Sequence, residues 1–143
     1  MEKVTRNVVK NCLENEWDKH IDQLMRLSPA EKEKFLQEQG FGTIADFLVH
    51  IAGWWKECMR IIILVQKEPI YTPLEVNVDE YNKKVIEENS GNSDDETIRI
   101  FNDTKSEIKE VIKKLPDSAF ENETINTYLY WCITNHVIEH KIS

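Results

Sequence analysis

Apolar residues at Val4, Val8, Leu13, Trp17, Ile21 and Leu24 recur every three to five positions, with Lys, Asp, Glu and Asn between them. That spacing marks one face of a helix, so the chain is predicted to open on an amphipathic helix. Ser28-Pro29-Ala30-Glu31 then supplies an N-cap, a proline at the first helical position and a glutamate placed to close a capping box. A short helix is expected from there to Phe35 or Leu36, ended by the Gly40-Phe41-Gly42 turn. Thr43 is the next N-cap, with Asp46 in the dipole-favoured first turn, and a long second helix should run to about Gln66. Pro69 and Pro73 mark a loop, Val78 to Glu88 suits a short helix, and Ser90-Gly91-Asn92 breaks it. Ser93-Asp94-Asp95-Glu96 repeats the capping-box signature ahead of Ile98, Phe101, Ile108, Val111, Ile112 and Leu115 at helical spacing, a third long helix closed by Pro116. Ile125, Leu129, Cys132, Ile133 and Val137 define a fourth, from about Glu123 to Ile142. No alternating β-branched segment, sustained heptad or internal repeat interrupts the series. The expectation is an all-α four-helix bundle, one domain over residues 1–143, with a long crossover between the second and third long helices.

Composition narrows the partners. With 41% hydrophobic and 31% charged residues and only four Gly and four Pro among 143, the chain is too apolar and too unrepetitive for disorder or a fibrous repeat. The formal charge of −8 removes the phosphate attraction on which non-specific nucleic-acid binding rests, so nucleic acid and anionic membranes are poor partners. Charge interrupts the first residues throughout, and the longest apolar run, Ile61 to Val65, is far short of the roughly 20 residues a bilayer span requires. A soluble, cytoplasmic protein is expected. Cys12, Cys58 and Cys132 are odd in number and widely spaced, which argues for small core hydrophobes over a disulfide framework or zinc ribbon.

The candidate chemistry lies with the histidines at 20, 50, 136 and 140. His136 and His140 stand four apart, on one face of a helix and about 6 Å from each other, within reach of a single metal ion. At about 100° per residue, Leu129, Ile125 and Cys132 fall within roughly 40° of His136, so the pair lies on the core-facing stripe. Two imidazoles there need hydrogen-bond partners or a metal, since unpaired burial costs about 1–3 kcal/mol each. His50 is the third candidate: Phe47, Trp54 and Ile61 lie within roughly 60° of it, and Asp46 and Glu57 flank the other side. Three neutral histidines form an open catalytic-type site for Zn²⁺ or another borderline divalent ion. His20, at the apolar edge of the first helix, is a further candidate.

His136-Val137-Ile138-Glu139-His140 also spells HxxEH, the inverted zinc-peptidase motif. That arrangement requires an acidic ligand well downstream, where only three residues follow, so any third ligand should come from earlier in the chain. Glu139 then reads as a solvated or supporting carboxylate.

Ala45-Asp46-Phe47-Leu48-Val49-His50-Ile51-Ala52-Gly53-Trp54, together with His136-Val137-Ile138-Glu139-His140, resembles the motifs of the DinB-like (YfiT-like) four-helix-bundle family. Asp79-Glu80-Tyr81-Asn82 and the capped helix after it are similar to the DinB-related DfsB/ClbS group. The resemblance implies that His50, His136 and His140 bind a divalent metal, commonly nickel or zinc, in the bundle interior. It further implies a hydrolase or a thiol-dependent transferase using a low-molecular-weight thiol on a small-molecule substrate, and a homodimer. Phe47, Trp54 and Tyr81 would shape an apolar pocket, with Glu57, Asp46 or Glu139 as proton carriers. A metal-free bundle that binds and sequesters a small molecule, as in the DfsB/ClbS group, is the competing expectation. A plain helical dimer with buried histidines is the third, for which exposed apolar residues on the second long helix such as Leu48 and Met59 would suit an interface.

Overall fold

Thr5 accepts from the Val8 N–H and starts α1, a continuous rod made of Arg6–Asn11, the π-turn Cys12–Glu16 and Trp17–Met25. The computed structural model describes residues 3–73 and 77–142, and all regular structure among them is helical. Ser28 and Glu31 exchange the two hydrogen bonds of a capping box at the start of α2 (Pro29–Gln39), which outlasts its predicted end by three residues and stops at Gly40, in the left-handed region at φ 87°. Thr43 caps α3 (Ile44–Lys67), Asn77 caps α4 (Val78–Asn89) and Ser93 caps α5 (Asp94–Lys114). A short 3₁₀ turn, Asp117–Glu121, leads to α6, which joins Glu123–Leu129, a second π-turn at Tyr130–Thr134 and Asn135–Glu139.

The π-turn of α1 corrects the predicted apolar stripe. In a straight α-helix Val9 stands about 80° from Trp17 and Val8 about 180° from it. A π-turn winds the chain back by roughly one residue, which brings Val9 into line and leaves Val8 to the side. Val9 is accordingly fully buried and Val8 is 50% exposed. The last helix also ends earlier than its pattern suggests: Glu139 is its final helical residue and His140 is the C-cap.

α1, α3, α5 and α6 are the four long rods. α1 lies against α5 and α6, and α3 against the same two, so the four enclose one apolar cluster running from Val4 to Ile133. Trp17 and Trp55 meet edge to face at its centre, 5.3 Å between ring centroids, and both are fully buried. Trp55 also packs on Phe101, and farther along Ile63 of α3 shares a groove with Val111 of α5. Both pairings advance in the same direction, so α3 and α5 run parallel. Parallel neighbours need a long return path, which the segment carrying α4 provides. Leu48 and Met59, expected at the surface, are instead 2% and 8% exposed; on α3 it is Ile63 that stands half out. Their side chains fill the seams between rods, because a helix enclosed by several neighbours buries more than one stripe.

Gly53 sets how closely α4 sits on α3. A Cβ built there would lie 2.8 Å from Val85 Cγ1 and 2.9 Å from Cγ2, and valine is stiff about χ1. Two further contacts fix the approach: Tyr81 donates its hydroxyl to the Gly53 carbonyl at 2.8 Å, and the Trp54 Nε1–H donates to Asn82 Oδ1 at 2.7 Å. Gly53→Ala is therefore expected to destabilise the fold by about 1–3 kcal/mol, the usual cost of overpacking. Urea unfolding checks this, and an unchanged midpoint would show that α4 moves aside freely.

Candidate metal centre

His50 comes from the second turn of α3, His136 from the last turn of α6, and His140 from the residue that caps α6. All three are buried, at 6%, 4% and 8% exposure. His50 Nε2 lies 3.1 Å from His136 Nε2 and 3.1 Å from His140 Nε2, and the three donor atoms all fall within 4.8 Å of one another. Tetrahedral Zn–N bonds of about 2.0–2.1 Å place neighbouring nitrogens about 3.3 Å apart, so the observed spacing fits one small divalent cation.

The far sides of two of these rings define which nitrogen is bare. His136 Nδ1 is 3.1 Å from the carbonyl oxygen of Cys132, and His140 Nδ1 is 2.7 Å from Gln39 Oε1. Both partners are oxygens that only accept, so each Nδ1 carries the proton and each Nε2 presents a lone pair. Lone pairs facing one another at such range repel unless a cation or a proton lies between them. The donor set therefore fits a bound divalent ion. His50 Nδ1 has no hydrogen-bond partner among the described residues.

The π-turn of α6 builds part of this arrangement. Its carbonyls take side-chain donors: Cys132 O accepts from Trp55 Nε1–H (3.1 Å) as well as from His136, and Ile133 O accepts from Trp17 Nε1–H (3.1 Å). α6 is thereby tied to α3 and α1 at the level of the histidines. π-turns concentrate at functional sites for this reason, since they re-aim side chains and free backbone acceptors.

Burial decides the protonation of the cluster. It pushes His50 down to about 4, against an opposing interaction with the Asn82 side chain. Burial, then the neighbouring His50 and His20, pushes His140 down to about 3. His136 lies well below its ordinary range for the same reason, with His50 and His140 adding to it. The three imidazoles are neutral at pH 7, the form that binds metal.

A cavity of about 320 Å³ opens onto the cluster, lined by Gln39, Phe41, His50, Trp54, Val78, Asn82, Trp131, Cys132, His136, Glu139 and His140. Phe41 and Trp54 form aromatic walls, and Trp131, half exposed, stands at the rim. Among the described residues Glu139 is the one acidic side chain lining it; Asn135 Nδ2 donates to its Oε1 at 2.7 Å, and partial burial raises its pKa.

The remaining sequence candidates lie elsewhere. Phe47 is fully buried behind the cluster, its ring 5.2 Å from His140 and 5.8 Å from Phe35, so it is a floor and not a cavity wall. Tyr81 packs on Trp54 at 4.6 Å between centroids and bonds the Gly53 carbonyl, holding α4 in place outside the cavity. Glu57, one turn beyond Gly53, turns away to accept from Arg60 Nε and Nη2 at 3.0 and 2.5 Å. Asp46 stays at the capped start of α3, its backbone N–H held by Thr43. His20 is buried against Trp17, Phe35 and Phe47 and is not one of the converging three; among the described residues its Nε2 has no partner. Gln39, Phe41, Asn82 and Trp131 line the site without having been site candidates from residue order. Gln39, Phe41 and Asn82 reach it from other segments, whereas Trp131 shares α6 with His136 and His140, where a large apolar residue half exposed on its helix is the one local signal. The three cysteines are free and buried, as expected of small core hydrophobes.

No family model, curated protein or solved structure matches this chain. No helix among the described residues is long and apolar enough to cross a membrane.

Proposed function

We propose that this chain is a metal-dependent enzyme acting on a small molecule, with His50, His136 and His140 as ligands and the aromatic cavity above them as the substrate site. The observation that carries the reading is the convergence of three buried Nε2 atoms, two of them with the opposite nitrogen already committed as a donor. Neutral imidazoles favour borderline divalent ions, Zn²⁺ or Ni²⁺ above Mg²⁺ or Ca²⁺. Three protein ligands leave a position open, as catalytic sites do and structural zinc sites do not. When bound, such an ion lowers the pKa of water or of a thiol enough to supply a nucleophile near neutral pH.

The residues of the chain divide the remaining work. Phe41 and Trp54 exclude water and hold an apolar part of the substrate, while Asn82 and Gln39 offer polar contacts at fixed places. Glu139, with its raised pKa and its bond to Asn135, is placed to carry a proton at the cavity mouth. Asp46 and Glu57 are withdrawn from that role by their positions. The same reading assigns the chain to the DinB-like bundles and the reaction to hydrolysis or to transfer onto a low-molecular-weight thiol, in a cytoplasmic homodimer. Those assignments rest on the two histidine motifs and on the helix order with its long crossover.

One further occupant satisfies the lone pairs: a single proton on His50 Nε2, shared toward His136 and His140. That arrangement corresponds to a metal-free binding protein. Elemental analysis after incubation with Zn²⁺ or Ni²⁺ and gel filtration separates the two. The enzyme reading expects one ion per chain; less than a tenth of an ion per chain would leave the proton-bridged binding protein.

A further inference from the structure

The three histidines are held in unequal ways. His136 is anchored by the backbone carbonyl of Cys132, four residues back in its own helix, an acceptor that does not depend on any side chain. His140 is the C-cap of α6: its backbone N–H still reaches His136 O at 3.2 Å, but its φ −101° and ψ 18° have left the helical region, and its ring has no acceptor within its own helix. On the side away from the other two histidines its ring is held from across the fold by the 2.7 Å bond to Gln39 Oε1. Gln39 is the last residue of α2, and the left-handed Gly40 closes that helix with bonds from Gly40 N–H to Gln37 O (3.1 Å) and from Phe41 N–H to Leu36 O (2.8 Å). Phe41, next along, packs its ring 5.0 Å from His50 and 6.0 Å from His140. The C-terminal end of α2 is thus a preformed platform under the ligand that its own helix cannot hold.

We propose that Gln39 is a positioning residue of the metal centre, accepting the Nδ1 proton of His140 and so presenting that ring's Nε2 to the ion. The inference rests on the metal-dependent reading above, and it concerns a residue that nothing in the histidine motifs announces. Supporting acceptors behind a ligand histidine fix both tautomer and ring orientation, and their loss typically weakens metal binding 10–100-fold. The effect should be at the upper end here, because among the described residues Gln39 is the one polar partner on the far side of the ring, which sits on a helix end that frays readily.

The test uses the full chain with Gln39→Leu and Gln39→Glu, both at a half-buried position. Zn²⁺ affinity, measured by competition with a chromophoric chelator, is expected to fall about 10–100-fold in Gln39→Leu and to return to within a few-fold of wild type in Gln39→Glu, whose carboxylate restores the acceptor. Co²⁺ substitution should show the intense visible bands of a four-coordinate site in wild type and Gln39→Glu, and weakened bands in Gln39→Leu. Wild-type affinity and spectrum in Gln39→Leu overturn the proposal, as does a Gln39→Glu variant no better than Gln39→Leu. Nitrogen-15 NMR of the metal-free protein provides a readout that needs no ion. His140 should hold its proton on Nδ1 in wild type and lose that preference in Gln39→Leu. A wild-type His140 protonated on Nε2 sinks the inference whether or not metal binds, whereas correct tautomers with no Zn²⁺ uptake sink the metal reading and leave Gln39 as the orienting partner.

Discussion

His136→Ala is expected to abolish stoichiometric binding of Zn²⁺ or Ni²⁺, lowering affinity by more than the hundredfold that loss of a supporting residue can cost. The ring it removes is 4% exposed, packs 5.7 Å from Trp17 and supplies one of the converging nitrogens. Two ligands remain, one of them on the last residue of a helix end, and two histidines alone do not make the three-ligand site that retains an ion. The substitution also removes the imidazole donor from the Cys132 carbonyl, which keeps the Trp55 donor, so some loss of stability accompanies the loss of metal. Isothermal titration against the wild type, with circular dichroism to show that the variant is folded, measures the effect. A folded His136→Ala protein with wild-type Zn²⁺ affinity would place the ion elsewhere.

The second large effect is that of acid on the metal-free protein. His50, His136 and His140 all titrate below their ordinary value when folded, His50 at about 4 and His140 at about 3, whereas unfolded histidines titrate near 6.5. Between those limits the unfolded chain binds more protons than the folded one, so stability rises with pH there and falls as pH drops. Above about pH 6.5 both states are neutral at these rings and the full stability is present. Below it each buried histidine removes at most about 1.4 kcal/mol per pH unit until its folded pKa is reached. Three such groups amount to several kcal/mol between pH 6.5 and 4.5, comparable with the 5–15 kcal/mol that holds a domain of this kind. Urea midpoints of the metal-free protein at pH 7.5, 6.0 and 5.0 should therefore fall steeply. His136→Ala, with one such group fewer, should show a shallower fall; parallel slopes would mean that the rings are not held neutral by burial. Saturating Zn²⁺ should flatten the curve at pH 6.0, because an ion that binds only the folded state adds stability by mass action.

Much of the fold is written locally. Thr5, Ser28, Thr43, Asn77 and Ser93 each cap a helix with their own side chain, and Ser28 with Glu31 completes a capping box within four residues. Such interactions depend on nearest neighbours in the chain, so residue order alone locates them. Helix interiors were legible through the spacing of apolar residues. The two π-turns were not, because a one-residue insertion into the ladder is stabilised by its tertiary partners. In α6 those partners are Trp17, Trp55 and Cys12, which donate to the Ile133 and Cys132 carbonyls from other rods.

The same division runs through the site. Residue order alone determined that His136 and His140 share the core face of the last helix, because a helix fixes the relation of positions four apart. It also put His50 beside the apolar face of its own helix. What residue order left open is which way Asp46, Glu57, Phe47 and Tyr81 would turn, and the tertiary structure sends them to a helix cap, an ion pair, the core floor and an interhelical brace. Gln39 and Asn82 enter only through loops and crossovers that bring distant segments within 3 Å of the site's side chains. Periodicity and capping are properties of one segment and survive translation of that segment through space. Contacts between segments depend on distances and angles among rods, which are set by the packing of the whole core at once.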